Sequence, residues 1–158
     1  MQGKIGKALV VGGGISGIRA SLDLAEFGYG VTLIDRRPHL GGVLSQLDQQ
    51  FPTDRCGMCQ MLPLVERDSA SQFCLRRGLF HDRIDIRLST ELAALEGEPG
   101  HFLATLKEKR NPVDPVRCIG CGRCAEVCPV TVPDDFNAGL GTRKAIALPL
   151  PHALPNAY

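Results

Sequence analysis

Four of the seven cysteines fall within eleven residues, as Cys118-Ile119-Gly120-Cys121-Gly122-Arg123-Cys124-Ala125-Glu126-Val127-Cys128-Pro129. The spacing is C-x2-C-x2-C-x3-C-P, a run that holds a [4Fe–4S] cluster. Two-residue gaps let successive thiolates converge on one cubane from a tight loop. Gly120 and Gly122 suit the turns and bring backbone N–H groups toward the sulfurs, which helps set the potential. Structural zinc also takes C-x2-C pairs, but four cysteines this close, followed by proline, favour iron–sulfur.

The ligand set has two forms. In two-cluster ferredoxins the fourth cysteine of one run serves the other cluster, and these 158 residues hold no second run. Either Cys118, Cys121, Cys124 and Cys128 hold one cluster together, or partner cysteines lie on another stretch of polypeptide.

A second constellation lies near the N-terminus. Gly12-Gly13-Gly14-Ile15-Ser16-Gly17 fits G-x-G-x-x-G. In that motif Gly12 makes the tight turn, Gly14 lets the backbone approach a pyrophosphate, and Gly17 permits close helix–strand packing. Free N–H groups at the helix N-terminus, Ile15 and Ser16 among them, then face the phosphates. Asp35 follows 23 residues after Gly12, placed to accept hydrogen bonds from a ribose. The bland alternatives are a glycine-rich turn and a strand-end aspartate acting as a cap. After Asp35 come Arg36, Arg37 and the pair Gly41-Gly42. An acid, basic residues and two glycines in this order resemble the FAD-binding pattern of flavoproteins with two dinucleotide-binding domains, which favours FAD over NAD. Arg36 or Arg37 also suits a 2′-phosphate, so NADP is the lesser reading.

Cys56-Gly57-Met58-Cys59 is a C-x-x-C, able to act as a redox dithiol near a flavin or to give two ligands to a further cluster. A buried, inert thiol pair is the plainer reading. Cys74 stands alone and reads as structural. His39, His81, His101 and His152 show no ligand spacing and receive no role.

The elements that must position these residues follow from periodicity. Ala8 to Val11 is a short apolar run that fits a fully buried strand. Ile15, Ile18, Leu22 and Ala25 recur at helical spacing until Gly28 ends the pattern, and Val31 to Ile34 is a second strand. Strand, helix and strand make a βαβ unit. Val43, Leu44 and Leu47 suggest a short helix, and Met61 to Phe73 another, limited by Pro63. Ile84, Ile86 and Leu88 alternate as in a half-buried strand. Leu92–Leu95 and Phe102–Leu106 flank Gly97-Glu98-Pro99-Gly100 as a hairpin or meander. Asn111-Pro112 to Pro115 marks a boundary before the cysteine module, and three prolines between Pro149 and Pro155 predict an irregular tail. The expected fold class is α/β: a Rossmann-like FAD-binding βαβ unit with a β-meander over residues 1–112. A partial ferredoxin-type [4Fe–4S] module follows at 113–148 and the tail at 149–158.

Composition narrows the class. Hydrophobic residues make up 44% and charged residues 22%, a globular balance, and the net charge of +1 gives no general pull toward nucleic acid or an anionic membrane. No stretch approaches the roughly 18 apolar residues that span a bilayer. Lys4, Lys7 and the apolar run after them superficially resemble a secretory signal, but Gly12-Gly13-Gly14 breaks that run after four residues. The odd number of cysteines without an export signal favours metal or redox roles and a cytoplasmic setting.

Together the glycine turn, Phe51-Pro52-Thr53-Asp54-Arg55-Cys56-Gly57-Met58-Cys59, the cysteine run and Gly139-Leu140-Gly141-Thr142-Arg143-Lys144-Ala145-Ile146 closely resemble the A-subunits of heterodisulfide reductases and their relatives in sulfate-reducing bacteria. The resemblance implies an FAD-bearing, thioredoxin-reductase-like domain with an inserted ferredoxin domain. It further implies electron distribution between iron–sulfur chains and partner redox subunits, in some complexes by flavin-based bifurcation. By the same resemblance Cys56 and Cys59 are cluster ligands more than a substrate-reducing dithiol. Such proteins also carry a later segment closing over the flavin and a second ferredoxin run, so the resemblance implies the N-terminal part of a longer subunit. The expected function is that of an oxidoreductase subunit moving electrons between FAD and [4Fe–4S]. The rivals are a pyridine-nucleotide-disulfide-reductase-like flavoprotein using Cys56 and Cys59, and a non-catalytic remnant. No general base, nucleophile or substrate pocket is nominated.

Overall fold

The computed structural model describes residues 6–46, 81–148, 155, 157 and 158. The helix expected at Met61–Phe73, Leu47, the pair Cys56 and Cys59, Cys74 and most of the proline-rich tail lie outside the described residues.

The apolar run near the N-terminus forms strand β1 (Lys7–Val11), and the helical stripe forms α1 (Ile15–Glu26). Strand β2 (Gly30–Ile34) returns beside β1 in parallel, with Val11 opposite Ile34. Ile18, on the inner face of α1, is fully buried against Leu33 of β2 and Leu40 beyond it. Val10, Ile15, Leu22, Ile84, Ile86 and Leu88 pack around them. Burying side chains of this size stabilises by about 2 kcal/mol each, so this small cluster is the main hold on α1. The C-terminus of α1 is closed by backbone bonds from Gly28 N–H to the Ala25 carbonyl and from Tyr29 N–H to the Leu24 carbonyl, both 3.0 Å.

The alternating Ile84 and Ile86 lie in β3 (Ile84–Arg87), which joins β2 in parallel, so the sheet order is β1-β2-β3. The strand expected at Ile84–Leu88 and the hairpin expected around Gly97–Gly100 are both present as separate units. β3 completes the parallel sheet, and β4 (Thr90–Glu98) with β5 (His101–Glu108) makes a separate antiparallel hairpin around Pro99-Gly100. β1 is half-buried instead of fully buried, and Val11 is 61% exposed. It has a hydrogen-bonded neighbour on one side only among the described residues. The helix expected around Val43 to Leu47 is a single 3-10 turn, Leu44–Gln46, with Val43 exposed beside it.

Past Pro115 the cysteine run forms a loop and the five-residue helix α2 (Arg123–Val127). A small antiparallel hairpin follows, β6 (Thr131–Pro133) with β7 (Thr142–Lys144), bridged by a 3-10 turn at Asp135–Asn137. No spacing in the sequence signalled that hairpin.

The packing of α1 on the β1 turn sets the first prediction. A methyl on Gly17 would run into the carbonyl oxygen of Gly12, a backbone atom that cannot move aside. Gly17→Ala is expected to destabilise the domain by about 1–3 kcal/mol, the usual cost of overpacking, seen as a lower urea midpoint with unchanged slope.

Candidate functional site

The glycine loop is shaped by three different demands. Gly12 has φ +107°, a backbone state that side chains disfavour, and its N–H donates to the Ile34 carbonyl at 2.8 Å, bending the chain from β1 toward α1. Gly17 is required by the close approach just described. Gly14 is different. It caps α1 with φ −76°, which any residue adopts, and a Cβ placed there would meet only the Gly42 Cα at 4.0 Å. Nothing in the described chain needs a glycine there. Its bare backbone leaves open space before a helix N-terminus that no side chain caps and whose first turn holds no acid. Such an end, with the N–H groups of Ile15, Ser16 and Gly17 unpaired among the described residues, is a ready anion site.

Asp35 sits at the end of β2 and is 9% exposed. Its Oδ2 accepts from Gly13 N–H at 2.6 Å and its Oδ1 from Arg37 N–H at 2.7 Å. The carboxylate expected to meet a ribose therefore also clamps the glycine loop. Each oxygen has two acceptor positions, so capacity for a hydroxyl remains.

Sequence reasoning missed Gly13 and Leu40. A Cβ on Gly13 would come within 2.5 Å of Leu40 Cδ2 and 3.2 Å of Asp35 Oδ2. The signal was present: the motif asks for glycines at 12, 14 and 17, and a third consecutive glycine at 13 exceeds it. Gly41 and Gly42 lie across the loop as a lid. Gly41 N–H donates to the Gly13 carbonyl at 2.7 Å, and a Cβ on Gly42 would press to 3.0 Å from the Gly14 Cα. Ser45 Oγ holds the Gly42 carbonyl at 2.8 Å. Of the two arginines, Arg36 is exposed, while Arg37 is half-buried with Nη1 buried and without a hydrogen-bond partner among the described residues. The structure thus brings Gly12, Gly14, Ile15, Ser16, Gly17, Asp35, Gly41 and Gly42 to one place.

The cysteine loop begins where Asp114 caps it, accepting from Val116 N–H at its carboxylate and from Cys118 N–H at its carbonyl. Gly122, at φ +79°, turns the chain into α2, and Ala125 and Glu126 N–H both bond its carbonyl. Cys118, Cys121, Cys124 and Cys128 are free thiols, with Cys121 the most open. Among the described residues no three His, Cys, Asp or Glu side chains stand close enough to hold a metal ion. The fit to an iron–sulfur cluster is therefore one of donor chemistry and loop shape. Backbone hydrogen bonds, first from Ile146 and then from Val130, hold the Cys128 thiol below its ordinary pKa, with Ala145 and the Lys144 charge adding to them. Each of these favours a thiolate at Cys128.

Residues 10–62 match the NAD(P)-binding Rossmann-like domain model, and residues 112–133 match the 4Fe-4S binding domain model. The chain is 41% identical over 152 residues to iron-sulfur A-subunit 2 of the CoB–CoM heterodisulfide reductase from Methanopyrus kandleri, covering 96% of this chain and 22% of that protein. It is 40% identical to the corresponding iron-sulfur protein of Methanocaldococcus jannaschii over 95% of its length. This chain belongs to the heterodisulfide reductase A-subunit family. A heterodisulfide reductase A-subunit-like protein of Archaeoglobus profundus matches at 41% over 94% of the chain. The chain spans about a fifth of the length of these family members, 22% for the Methanopyrus protein and 21% for the Methanocaldococcus one. Among the described residues no helix is long and apolar enough to cross a membrane.

The clamp on the glycine loop can be tested directly. Asp35→Asn keeps the shape but leaves one acceptor oxygen and sets an NH2 group against a buried N–H. It is expected to destabilise by about 1–3 kcal/mol, measured by urea unfolding.

Proposed function

We propose that this chain is the flavin- and cluster-bearing segment of an oxidoreductase subunit of heterodisulfide reductase A type. FAD lies along the loop from Gly12 to Gly17, and a [4Fe–4S] cluster is held by Cys118, Cys121, Cys124 and Cys128. Its partners are other redox subunits of such a complex, in the cytoplasm. The observation that carries the reading is the space left at the α1 N-terminus by Gly14, beside a chain that needs no glycine there. The order Asp35, Arg36, Arg37, Gly41, Gly42 supports FAD over a nicotinamide dinucleotide.

When bound, the flavin and the cluster supply the electron chemistry. The protein's own contribution is binding and orientation. Main-chain N–H groups at the start of α1 hold the pyrophosphate, with the positive end of the helix behind them. Asp35 fixes the loop through Gly13 and Arg37 and keeps acceptor capacity for the ribose. Gly41 and Gly42 close the other side of the loop without side chains that would fill the site. Arg36, exposed beside Asp35, would be free to meet the bound nucleotide. In the cysteine loop Gly120 and Gly122 turn the chain so that its N–H groups can approach sulfur. By the resemblance, Cys56 and Cys59 are ligands to a further cluster.

The test is anaerobic reconstitution with FAD, iron and sulfide, followed by gel filtration and assay. The expected product carries about four irons for each Cys118–Cys128 run. Cys121→Ala is expected to remove that iron and leave the flavin. Gly14→Ser, whose hydroxyl can cap α1, is expected to hold the unfolding midpoint while weakening FAD binding roughly tenfold, about 1.4 kcal/mol. A chain that takes up neither flavin nor iron would overturn the proposal. Cys59→Ala separates the roles of the C-x-x-C: loss of iron supports ligation, whereas full iron with lost dithiol reactivity supports the redox dithiol.

A further inference from the structure

Residues 134–146 lie beyond the part of the chain that matches the 4Fe-4S binding domain, yet they fold back onto its last cysteine. Thr131 of β6 pairs with Lys144 of β7, and Ala145 N–H donates to the Val130 carbonyl at 3.0 Å. The 3-10 turn is pinned by Asp134, which accepts from Phe136 N–H at 3.1 Å, and by Gly141 N–H on Asn137 Oδ1 at 3.2 Å. The result of this hairpin is a specific contact: Lys144 Nζ donates to the carbonyl oxygen of Cys128 at 2.8 Å. A lysine sixteen residues downstream is thereby held on the main chain of the fourth cysteine.

Lys144 differs from the other cations of the module in what it touches: Arg143, which also meets no carboxylate among the described residues, bonds the Lys144 carbonyl and not a cysteine's main chain. Arg117 stands 3.6 Å from Asp114, and Arg123 stands 3.3 Å from Glu126, so those cations of the module each have a carboxylate. Among the described residues Lys144 meets no carboxylate within ion-pair distance, and its bond to Cys128 is to a neutral carbonyl. Its positive charge is uncancelled beside the loop. An iron–sulfur cluster becomes more negative when it gains an electron, so a fixed cation and inward N–H dipoles favour the reduced form.

We propose that Lys144, held on the Cys128 carbonyl by the β6–β7 hairpin, is a potential-setting cation that raises the reduction potential of the cluster bound through Cys128. The inference rests on the cluster reading above. Lys144 is a positioning and tuning residue, because it touches the peptide of a ligand and not the iron.

The experiment is an EPR-monitored redox titration of the reconstituted full 158-residue chain. In Lys144→Gln the reduced-to-oxidised ratio at a fixed potential is expected to fall about tenfold, equal to a midpoint lower by about 59 mV for a one-electron couple. Lys144→Glu is expected to shift further in the same direction, and Lys144→Arg to restore the parent midpoint. Lys107→Gln, on the β4–β5 hairpin outside the cysteine module, is the control and is expected to leave it unchanged. The midpoint is read only from molecules that carry cluster, so partial loading does not blur it. A Lys144→Gln chain with cluster and the parent midpoint would sink the proposal. Complete loss of iron in Lys144→Gln, with retention in Lys144→Arg, would also overturn it by assigning Lys144 to holding the loop. Absence of iron in the parent chain is a separate result, because it overturns the cluster reading itself.

Discussion

Four hydrogen bonds converge on Asp35, and the geometry of the nucleotide end depends on them. Its N–H donates to the Arg87 carbonyl at 3.1 Å, tying β2 to β3, and its carbonyl accepts from Thr90 N–H at 2.8 Å, setting where β4 departs. Its two carboxylate oxygens take the N–H groups of Gly13 and Arg37. One nearly buried residue thus connects the glycine loop, the edge of the sheet and the hairpin beyond it. A buried carboxylate is tolerable because both oxygens are answered by backbone donors, the strongest arrangement short of an ion pair. The same bonds explain why the β1 turn stands at a fixed distance from the end of β2. That distance decides whether a dinucleotide fits between them.

The cysteine module is held in the opposite way. Its apolar side chains do not form a core: Val116 is 92% exposed and Ile119 is 87% exposed. Its order comes from the β6–β7 hairpin, the Asp114 and Asp134 caps and the turn at Gly122. Segments below about 40 residues rarely hold a fold on hydrophobic burial alone and usually recruit a metal, disulfides or a partner. Ligand bonds to four cysteines would supply what burial does not, and binding would then be part of folding. This explains why the thiols need not converge beforehand. A loop with no apolar core has little to hold four side chains in one arrangement until the inorganic core links them.

Much of the first unit was legible because its signals were local. Helical period from Ile15 to Ala25, strand composition before and after it, and the acid after β2 placed β1, α1 and β2 to within a residue or so. The β4–β5 hairpin was legible from its turn residues. What sequence did not show was pairing between distant segments. Nothing in Ile84, Ile86 and Leu88 says that they add to β2 in parallel, since alternation reports one buried face and not a neighbour. The short strands β6 and β7, three residues each, carry no periodicity to read. The C-x2-C-x2-C-x3-C spacing of the cysteines was fully legible, while the contact of Lys144 with Cys128 depended on that unread hairpin. Asp35 stood out by its place after β2, but its bond to Gly13 was invisible because it depends on the approach of two turns 22 residues apart.

The glycines show how a structure separates what a motif merges. A spacing rule scores Gly12, Gly14 and Gly17 alike, yet the chain itself explains only two of them. Gly12 is needed for its backbone angle, and Gly17 because α1 passes so close to the Gly12 carbonyl. Gly13, outside the rule, is needed as much as either, because Asp35 and Leu40 close on it. Gly14 satisfies no need of the fold that the described residues reveal. A Ser, Asp or Asn side chain there would be sterically free and would, by ordinary propensity, improve a helix start that lacks a capping oxygen. A Ser or Asp at that position would cap α1 and fill the space before it with an oxygen of its own. Glycine leaves those N–H groups for something that arrives from outside the chain. The residue that the fold does not require is therefore the one that points most directly to the ligand.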